Sequence, residues 1–159
     1  MRRYKPVIGV IGAARPSAAA LHHAEKVGRL LAGAQVVLVC GGLGGVMAAA
    51  ARGCCEAGGE VLGILPGAEA SQANPFVTLA VPTNMGHARN VIIAHTAQAL
   101  IAVEGEYGTI SEMAVALKLG KRVIALPGSP QMAGIVNAKT PEEAVQLALA
   151  SLPATEPPA

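Results

Sequence analysis

VVLVCGGLGGVMAAAARG, residues 36–53, joins an apolar run, a glycine-rich turn and an alanine-rich stretch. The run 36–40 is rich in β-branched residues, which predicts a buried strand. GGLGG ends that strand, and the alanines after it favour a helix over about 45–57. A continuously apolar strand that leads through glycines into a helix is typical of the strand–helix units of parallel sheets.

The same alternation of strand and helix continues along the chain. Strands are predicted, besides 36–40, at 7–12, at 61–65, near 77–81, at 99–103, at 122–126 and at 134–137. Helices are predicted from Ser17 to about Ala32, over about 85–97 behind Asn84 as a cap, over about 109–119, and over 140–151 behind Thr140. These patterns predict an α/β fold with a doubly wound, mostly parallel, Rossmann-like sheet and helices on both faces.

Length and composition favour one domain with an aliphatic core. The chain has 159 residues, of which 52% are hydrophobic and only 2% aromatic, so Val, Ile, Leu and Ala must fill the interior. One domain is predicted over 1–152, and the proline-rich tail at 153–159 is predicted to be disordered. The stretch 66–76 has no periodicity and is predicted to form a surface loop over a site.

Charge, cysteines and histidines narrow the classes of partner. The net charge of +2 is too small to indicate a nucleic acid or an anionic membrane, and no apolar run approaches the ~18 residues of a membrane span. The cysteines, Cys40, Cys54 and Cys55, form no disulfide framework, which favours a cytoplasmic protein. The histidines lack metal-binding spacing, so we expect no metal bound by the protein itself.

Glycine-containing loops follow three of the predicted strands. Ligands of doubly wound sheets bind beyond the C-terminal ends of the strands, where glycines allow close approach and helix N-termini favour anions. None of the loops matches the spacing of a dinucleotide fingerprint or a Walker loop, and each could be an ordinary turn. The candidate ligand-binding residues in them are Gly12, Ala13, Arg15, Gly41, Gly42, Gly44, Met47, Gly105, Glu106, Tyr107, Gly108 and Thr109.

A series of motifs covers most of the chain in a fixed order. They are CGGLGGVMAAAARG at 40–53, GILPG at 63–67, NMGHARN at 84–90, GEYGTISE at 105–112 and ALKLGKRVIAL at 116–126. In these motifs the sequence resembles the LOG-like ("lonely guy", or "possible lysine decarboxylase") superfamily of Rossmann-type proteins. It is most similar to the branch that includes the molybdenum cofactor carrier proteins.

The resemblance implies a homodimer or higher homo-oligomer with a nucleotide-like small molecule at the strand ends. In enzymatic members of the superfamily a nucleoside monophosphate loses its base and ribose 5-phosphate is formed. The catalytic Arg and Glu of those members correspond here to Arg89 and Glu112, and their phosphate-binding loop corresponds to Gly105, Gly108 and Thr109. Asn90 joins the ligand-binding candidates, because Arg-Asn is the pair expected of the carrier-like branch.

The chain departs from the enzymatic pattern in three places. Enzymatic members read P-G-G-x-G-T where this chain has Glu104 for Pro and Glu106 for the second Gly, they read Arg-Lys for Arg-Asn, and they carry an Asp where this chain has Gln98. These departures favour a binding or carrier protein for a nucleotide-like phosphoester, with the molybdenum cofactor or a nucleotide as candidate ligand. The alternatives are a nucleoside 5′-monophosphate phosphoribohydrolase and a degenerate sensor domain without chemistry.

Two further interpretations stay open at the level of sequence. Thr109 and Glu112 have the S/T-x-x-E spacing of a capping box, so Glu112 could satisfy backbone N–H groups instead of a ligand. A carboxylate about 5 Å from a phosphate costs roughly 1–3 kcal/mol per charge pair, whereas a helix N-terminus contributes only about 0.3–1 kcal/mol. Phosphate binding therefore requires Glu104 and Glu106 to point away, to be protonated, or to be neutralised by Arg15, Arg89 or a cation.

Overall fold

A computed structural model describes residues 4–153, which form seven strands and five α-helices. The strands are β1 (Val7–Gly12), β2 (Val37–Cys40), β3 (Val61–Leu65), β4 (Leu79–Pro82), β5 (Ala99–Val103), β6 (Arg122–Ala125) and β7 (Val136–Asn137). The helices are α1 (Ala18–Gly33), α2 (Val46–Glu56), α3 (Arg89–Thr96), α4 (Tyr107–Lys118) and α5 (Pro141–Ala150). The predicted disordered tail lies, from residue 154 onward, outside the described residues.

All seven strands pair in parallel in one sheet with the order β4-β3-β2-β1-β5-β6-β7. The chain winds outward from β1 to β4, returns to pair β5 with the other side of β1, and then continues to β7. The order therefore reverses between β1 and β5, which is where ligands bind in open sheets of this kind. The predicted doubly wound α/β fold is confirmed, and the sheet is fully parallel.

Two apolar layers cover the two faces of the sheet. One layer joins alternate residues of the central strands to α1, α2 and α5, and the other joins the intervening residues to α3 and α4. In β5, for example, Ile101 faces the first layer and Leu100 the second, and both are fully buried. Burial on both faces explains why the central strands are apolar at every position.

Local capping signals fix two of the helices as predicted. The Ser17 hydroxyl accepts a hydrogen bond from the N–H of Ala20 at 3.1 Å and starts α1. At the start of α5 the Thr140 hydroxyl accepts from the N–H of Glu143, whose carboxylate accepts from the N–H of Lys139 at 2.7 Å. Each bond satisfies a helix-end donor that the helix itself cannot pair.

The structure differs from the sequence patterns at three places. Asn84 caps no helix, because its φ of 52° is left-handed, and a 3-10 turn at Gly86–Ala88 precedes α3 at Arg89. The capping box proposed for Thr109 and Glu112 does not form, because α4 begins at Tyr107 and Glu106 occupies the cap position. The loop at 66–76 contains a 3-10 turn at Ala70–Gln72, and none of its residues lines the cleft described below.

Helices α1 and α2 pack with their backbones in close approach. A Cβ atom at Gly28 would lie 1.9 Å from the carbonyl oxygen of Ala50, and one at Gly53 would lie 2.0 Å from that of Glu25. These atoms belong to backbone and cannot rotate away. Each helix follows a strand and so begins at the carboxyl edge of the sheet, and their close packing supports the loops that build the site.

We predict that Gly28→Ala lowers the free energy of unfolding by at least about 1–3 kcal/mol, because the added methyl group forces the two helices apart. Gly33→Ala is the matched control, since a Cβ there meets nothing within 4 Å in the same helix. The control should leave stability unchanged or raise it by up to about 1 kcal/mol. Urea unfolding followed by circular dichroism measures both variants, and equal midpoints would contradict the assigned packing.

Candidate functional site

A cleft of about 390 Å³ opens at the carboxyl edge of the sheet, where the strand order reverses. Its walls come from the end of β1 and the loop after it, from the loop after β2, from the start of α3 and from the first turns of α4. The lining residues are Val10, Ile11, Gly12, Ala13, Ala14, Arg15, Gly41, Met47, His87, Arg89, Asn90, Glu106, Gly108, Thr109 and Glu112.

Arg89 forms part of the buried floor of this cleft and is only 7% exposed. Its Nε donates to the carbonyl of Ile64 at 2.8 Å, one terminal nitrogen donates to the side-chain oxygen of Asn90, and the other lies 3.5 Å from the carbonyl of Gly41. Burial lowers the pKa of the guanidinium, and the nearby carboxyl of Glu112 raises it in part. All three acceptors are neutral, so no hydrogen bond balances the positive charge.

Glu112 lies on the same floor, also 7% exposed. Burial raises the pKa of its carboxyl from 4.5 to about 8, and Arg89 offsets only part of that rise. The carboxyl has no hydrogen-bond donor from the protein among residues 4–153, and no ion pair joins it to Arg89 there. At neutral pH the group is therefore mostly protonated and can donate a hydrogen bond into the cleft.

Two short polar side chains complete the floor. Asn90 is 5% exposed, and its amide nitrogen donates to the hydroxyl of Ser111 at 3.3 Å, while that hydroxyl donates to the carbonyl of Gly108. Thr109 is 4% exposed in the first turn of α4 and lines the cleft. This arrangement links α3 to the N-terminal turn of α4, whose unpaired N–H groups favour an anion.

The rim of the cleft carries the charges that remain in solvent. Arg15, His87 and Glu106 all line the opening and are exposed. Glu106 occupies the cap position of α4, but its side chain makes no capping hydrogen bond. A carboxylate in this setting is surrounded by water, so its repulsion of a bound anion is close to the lower limit for charge pairs, about 1 kcal/mol.

Glu104 is held away from the cleft. Its carboxylate accepts hydrogen bonds from the N–H of Ser17 at 3.0 Å and from the Ser17 hydroxyl at 2.5 Å, and these bonds lower its pKa. Its own N–H donates to the hydroxyl of buried Ser129 at 2.9 Å, which fixes the left-handed φ of 53°. Glu104 thus points to the N-terminus of α1 and does not line the cleft.

The structure brings eleven of the predicted site residues to the cleft and leaves four elsewhere. Gly42 is buried against Leu65, and its carbonyl accepts from the N–H of Asn74 at 2.8 Å. Gly105 packs on Thr109, Gly44 is exposed, and Tyr107 is 87% exposed. These four residues stabilise the loop backbone or face solvent. The eleven residues at the cleft are Gly12, Ala13, Arg15, Gly41, Met47, Arg89, Asn90, Glu106, Gly108, Thr109 and Glu112.

Four lining residues were not predicted: Val10, Ile11, Ala14 and His87. Ala14 lies between the predicted Ala13 and Arg15, and His87 lies two residues before Arg89 in NMGHARN, so extending the candidates along each loop would have found them. Val10 and Ile11 are buried in β1, and their sequence gives no signal that distinguishes them from the other core positions.

No group of three or more His, Cys, Asp or Glu side chains in the described part of the chain could hold a metal ion. Cys40, Cys54 and Cys55 are free thiols, and the first two are buried. No helix within residues 4–153 is both long and apolar enough to cross a membrane.

An open parallel sheet with a polar cleft at its reversal point places the protein among the Rossmann-like α/β proteins that bind ligands at this edge. More narrowly, the chain belongs to the SLOG cluster4 family, which it matches over residues 5–155. This result confirms the predicted LOG-like superfamily.

Known proteins resemble the chain over almost its whole length. An uncharacterized protein of Archaeoglobus fulgidus is 49% identical over 144 residues, which cover 91% of this chain and 95% of the relative. The molybdenum cofactor binding protein of Rippkaea orientalis superposes with a TM-score of 0.88 at 32% identity, covering 94% of this chain and 98% of its own. The molybdenum cofactor carrier protein of Chlamydomonas reinhardtii superposes with a TM-score of 0.82 at 31% identity, covering 92% and 98%. The predicted branch is thereby confirmed.

We predict that Glu112→Gln becomes more stable than the wild type as the pH rises from 5 to 8. Over this range the unfolded chain has lost the Glu112 proton that the folded protein retains, so the stability of the wild type falls with pH, while glutamine does not titrate. The difference should reach roughly 2–5 kcal/mol near pH 8.

Urea midpoints at pH 5, 6.5 and 8 measure this difference. Glu69→Gln is the matched control, because Glu69 is exposed and makes no capping hydrogen bond. The control should follow the wild type at every pH. A constant difference between Glu112→Gln and the wild type across the series would show that Glu112 titrates normally.

Proposed function

We propose that this protein binds or carries a small nucleotide-like phosphoester, and that the cleft at the end of β1 and β5 is its site. The observation that carries the proposal is the pair Arg89 and Glu112, each 7% exposed, both on the floor of one cleft, with no ion pair between them. Burying an arginine without a carboxylate partner costs free energy, which an anionic ligand would offset.

The distribution of charge in the cleft supports an anionic ligand. Arg15 and Arg89 are cationic, Glu106 is anionic, and Glu112 is mostly protonated at neutral pH, so the lining has an excess of positive charge. The first turn of α4 adds N–H groups and the Thr109 hydroxyl. The repulsion expected from two glutamates reduces to that of Glu106 alone, because Glu104 is bonded to Ser17.

The nature of the similar proteins supports a carrier and suggests the ligand class. The proteins of Rippkaea orientalis and Chlamydomonas reinhardtii described above are a binding protein and a carrier for the molybdenum cofactor. A pterin phosphoester of that kind, treated as cargo, would place its phosphate near Arg89 and α4 and its ring near the rim. The side chains of Met47, Ala13 and Ala14 offer apolar contacts for a flat ring.

A phosphoribohydrolase is the second candidate, and the protonation of Glu112 is the observation that favours it. A carboxyl with a pKa of about 8 holds a proton at neutral pH and can transfer it to a departing base as a general acid. In that reaction the N-glycosidic bond of the nucleotide breaks, the base leaves with the Glu112 proton, and water adds to the anomeric carbon and returns a proton to Glu112. Arg89 would hold the substrate anion beside the acid.

Proton NMR of AMP mixed with the protein distinguishes the two candidates. We expect broadened AMP signals without free adenine, because the nucleotide binds but the enzymatic motif is altered at Glu104, Glu106 and Asn90. Glu112→Ala should weaken the broadening, and Glu69→Ala, which changes an exposed carboxylate, should not.

The other outcomes have definite meanings. Free adenine released by the wild type and not by Glu112→Ala would replace the carrier with the hydrolase. Sharp, unchanged AMP signals would exclude nucleotides, and a pterin phosphate would then be titrated in the same way. Failure of both ligands to bind would overturn the proposed function and leave the sensor domain as the interpretation.

We also propose that the protein is a homodimer. The edge strand β4 exposes Leu79 and Val81 on one of its faces, and Met85 and Val91 nearby in sequence are exposed as well, which is apolar surface that a second copy of the chain could cover. Light scattering should give twice the mass of the chain, and Leu79→Glu should halve it. A monomeric mass for the wild type at micromolar concentration would contradict the proposal.

A further inference from the structure

We propose that the ligand's oxyanion binds between Arg89 and Glu112 and that its binding is coupled to uptake of a proton by Glu112, so that the site releases its ligand when Glu112 ionises. This inference deepens the proposed function and rests on it. It assigns to Glu112 the role of a hydrogen-bond donor to a tetrahedral oxyanion such as the phosphate of a phosphoester.

The hydrogen bonds of the guanidinium leave its positive charge unbalanced. Arg89 gives three of its five N–H groups to the carbonyls of Ile64 and Gly41 and to the side-chain oxygen of Asn90. These acceptors fix the plane of the guanidinium against β2 and β3. Since all of them are neutral, the fixed positive charge has no bonded counter-ion among residues 4–153.

Glu112 is the carboxyl whose charge acts on that guanidinium, and it competes with any incoming anion. When ionised, it attracts Arg89 and repels an oxyanion, and no donor from residues 4–153 solvates it. When protonated, it is neutral and offers an O–H to the same oxyanion that Arg89 attracts. The oxyanion and the carboxylate charge therefore exclude each other in the same buried space.

The other titratable groups that line the cleft lie on its rim. Arg15, His87 and Glu106 are all exposed to solvent, whereas Glu112 is buried on the floor. On the sheet side, burial raises the pKa of the Cys40 thiol to about 11. From β1 the cleft receives Val10, Ile11 and Gly12, none of which has a titratable side chain.

The coupling has a quantitative form. Since only the protonated site accepts the oxyanion, affinity should be flat below pH 7.5 and fall by about tenfold per pH unit well above the pKa of about 8. By reciprocity, the bound oxyanion must raise the pKa of Glu112 further. Above pH 8 each binding event then removes close to one proton from solution.

Calorimetric titration with AMP and, separately, with sulfate tests the inference. Both probes are fully ionised between pH 7.5 and 9.5, so any proton that moves belongs to the protein. Titrations at pH 9 in two buffers of different ionisation enthalpy count the protons taken up. We expect about one proton for the wild type and none for Glu112→Gln, whose affinity should stay flat with pH, while Glu69→Gln follows the wild type.

A spectroscopic readout makes the test independent of how well the variant folds. In the wild type at pH 9, adding either probe should produce the infrared carbonyl band of a protonated carboxyl, which a merely structural Glu112 would not produce. Binding without proton uptake at pH 9, or an affinity that is the same at pH 7.5 and 9.5, would overturn the inference and leave the proposed function standing.

The two probes also separate the inference from the proposed function. Proton-coupled binding of sulfate without binding of AMP would support the oxyanion site and count against a nucleotide as the ligand. Failure of both probes to bind at pH 7.5 would overturn the inference, because a free oxyanion site there must accept one of them. The proposed function would then depend on the pterin titration alone.

Discussion

The buried guanidinium of Arg89 is the interaction on which the arrangement of the site depends. Arg89 is the first residue of α3, and its side chain ends at the carbonyls of Ile64 in β3 and Gly41 after β2. It therefore joins the start of a helix on one face to the carboxyl ends of two strands. A Cβ at Gly41 would lie 2.6 Å from the guanidinium, so only glycine leaves room for this contact. Gly41, in the loop after β2, is thus needed for the position of Arg89 as well as for the turn.

The hydrogen-bond partners of Arg89 explain why the floor of the cleft keeps an unneutralised positive charge. Backbone carbonyls can satisfy hydrogen bonds of a buried cation, but they do not supply the negative charge that would neutralise it. Glu112 could supply that charge, yet its own burial and lack of donors oppose ionisation. The positive charge of Arg89 is therefore not neutralised by Glu112, and an external anion would neutralise it. Such unbalanced pairs are typical of sites shaped for ligands, and they reduce the stability of the empty protein.

The sequence predicted the fold well because its signals are local and agree with one another. β1, β3 and β5 have the predicted bounds, since each is a short apolar run closed by glycine, proline or a charged residue. The misses arise where tertiary hydrogen bonds decide the backbone. Asn84 donates its N–H to the carbonyl of Gly67 and turns left-handed instead of capping α3. Gly42 was predicted to bind the ligand, but its carbonyl accepts a hydrogen bond from the N–H of Asn74. No pattern in the loop distinguishes these two uses of a glycine.

The two glutamates of the loop after β5 show how a motif can change while its geometry persists. Enzymatic relatives carry proline where this chain has Glu104, and proline restricts the backbone by its ring. Glu104 restricts the same position by hydrogen bonds to Ser17 and Ser129, which join the loops after β1, β5 and β6. Its negative charge lies at the N-terminus of α1, where the helix dipole stabilises a carboxylate. Glu106 keeps its charge at the rim, where water screens it. The altered motif therefore leaves the first turn of α4 open to an anion, and the chemistry of the site depends on what Glu112 does with its proton.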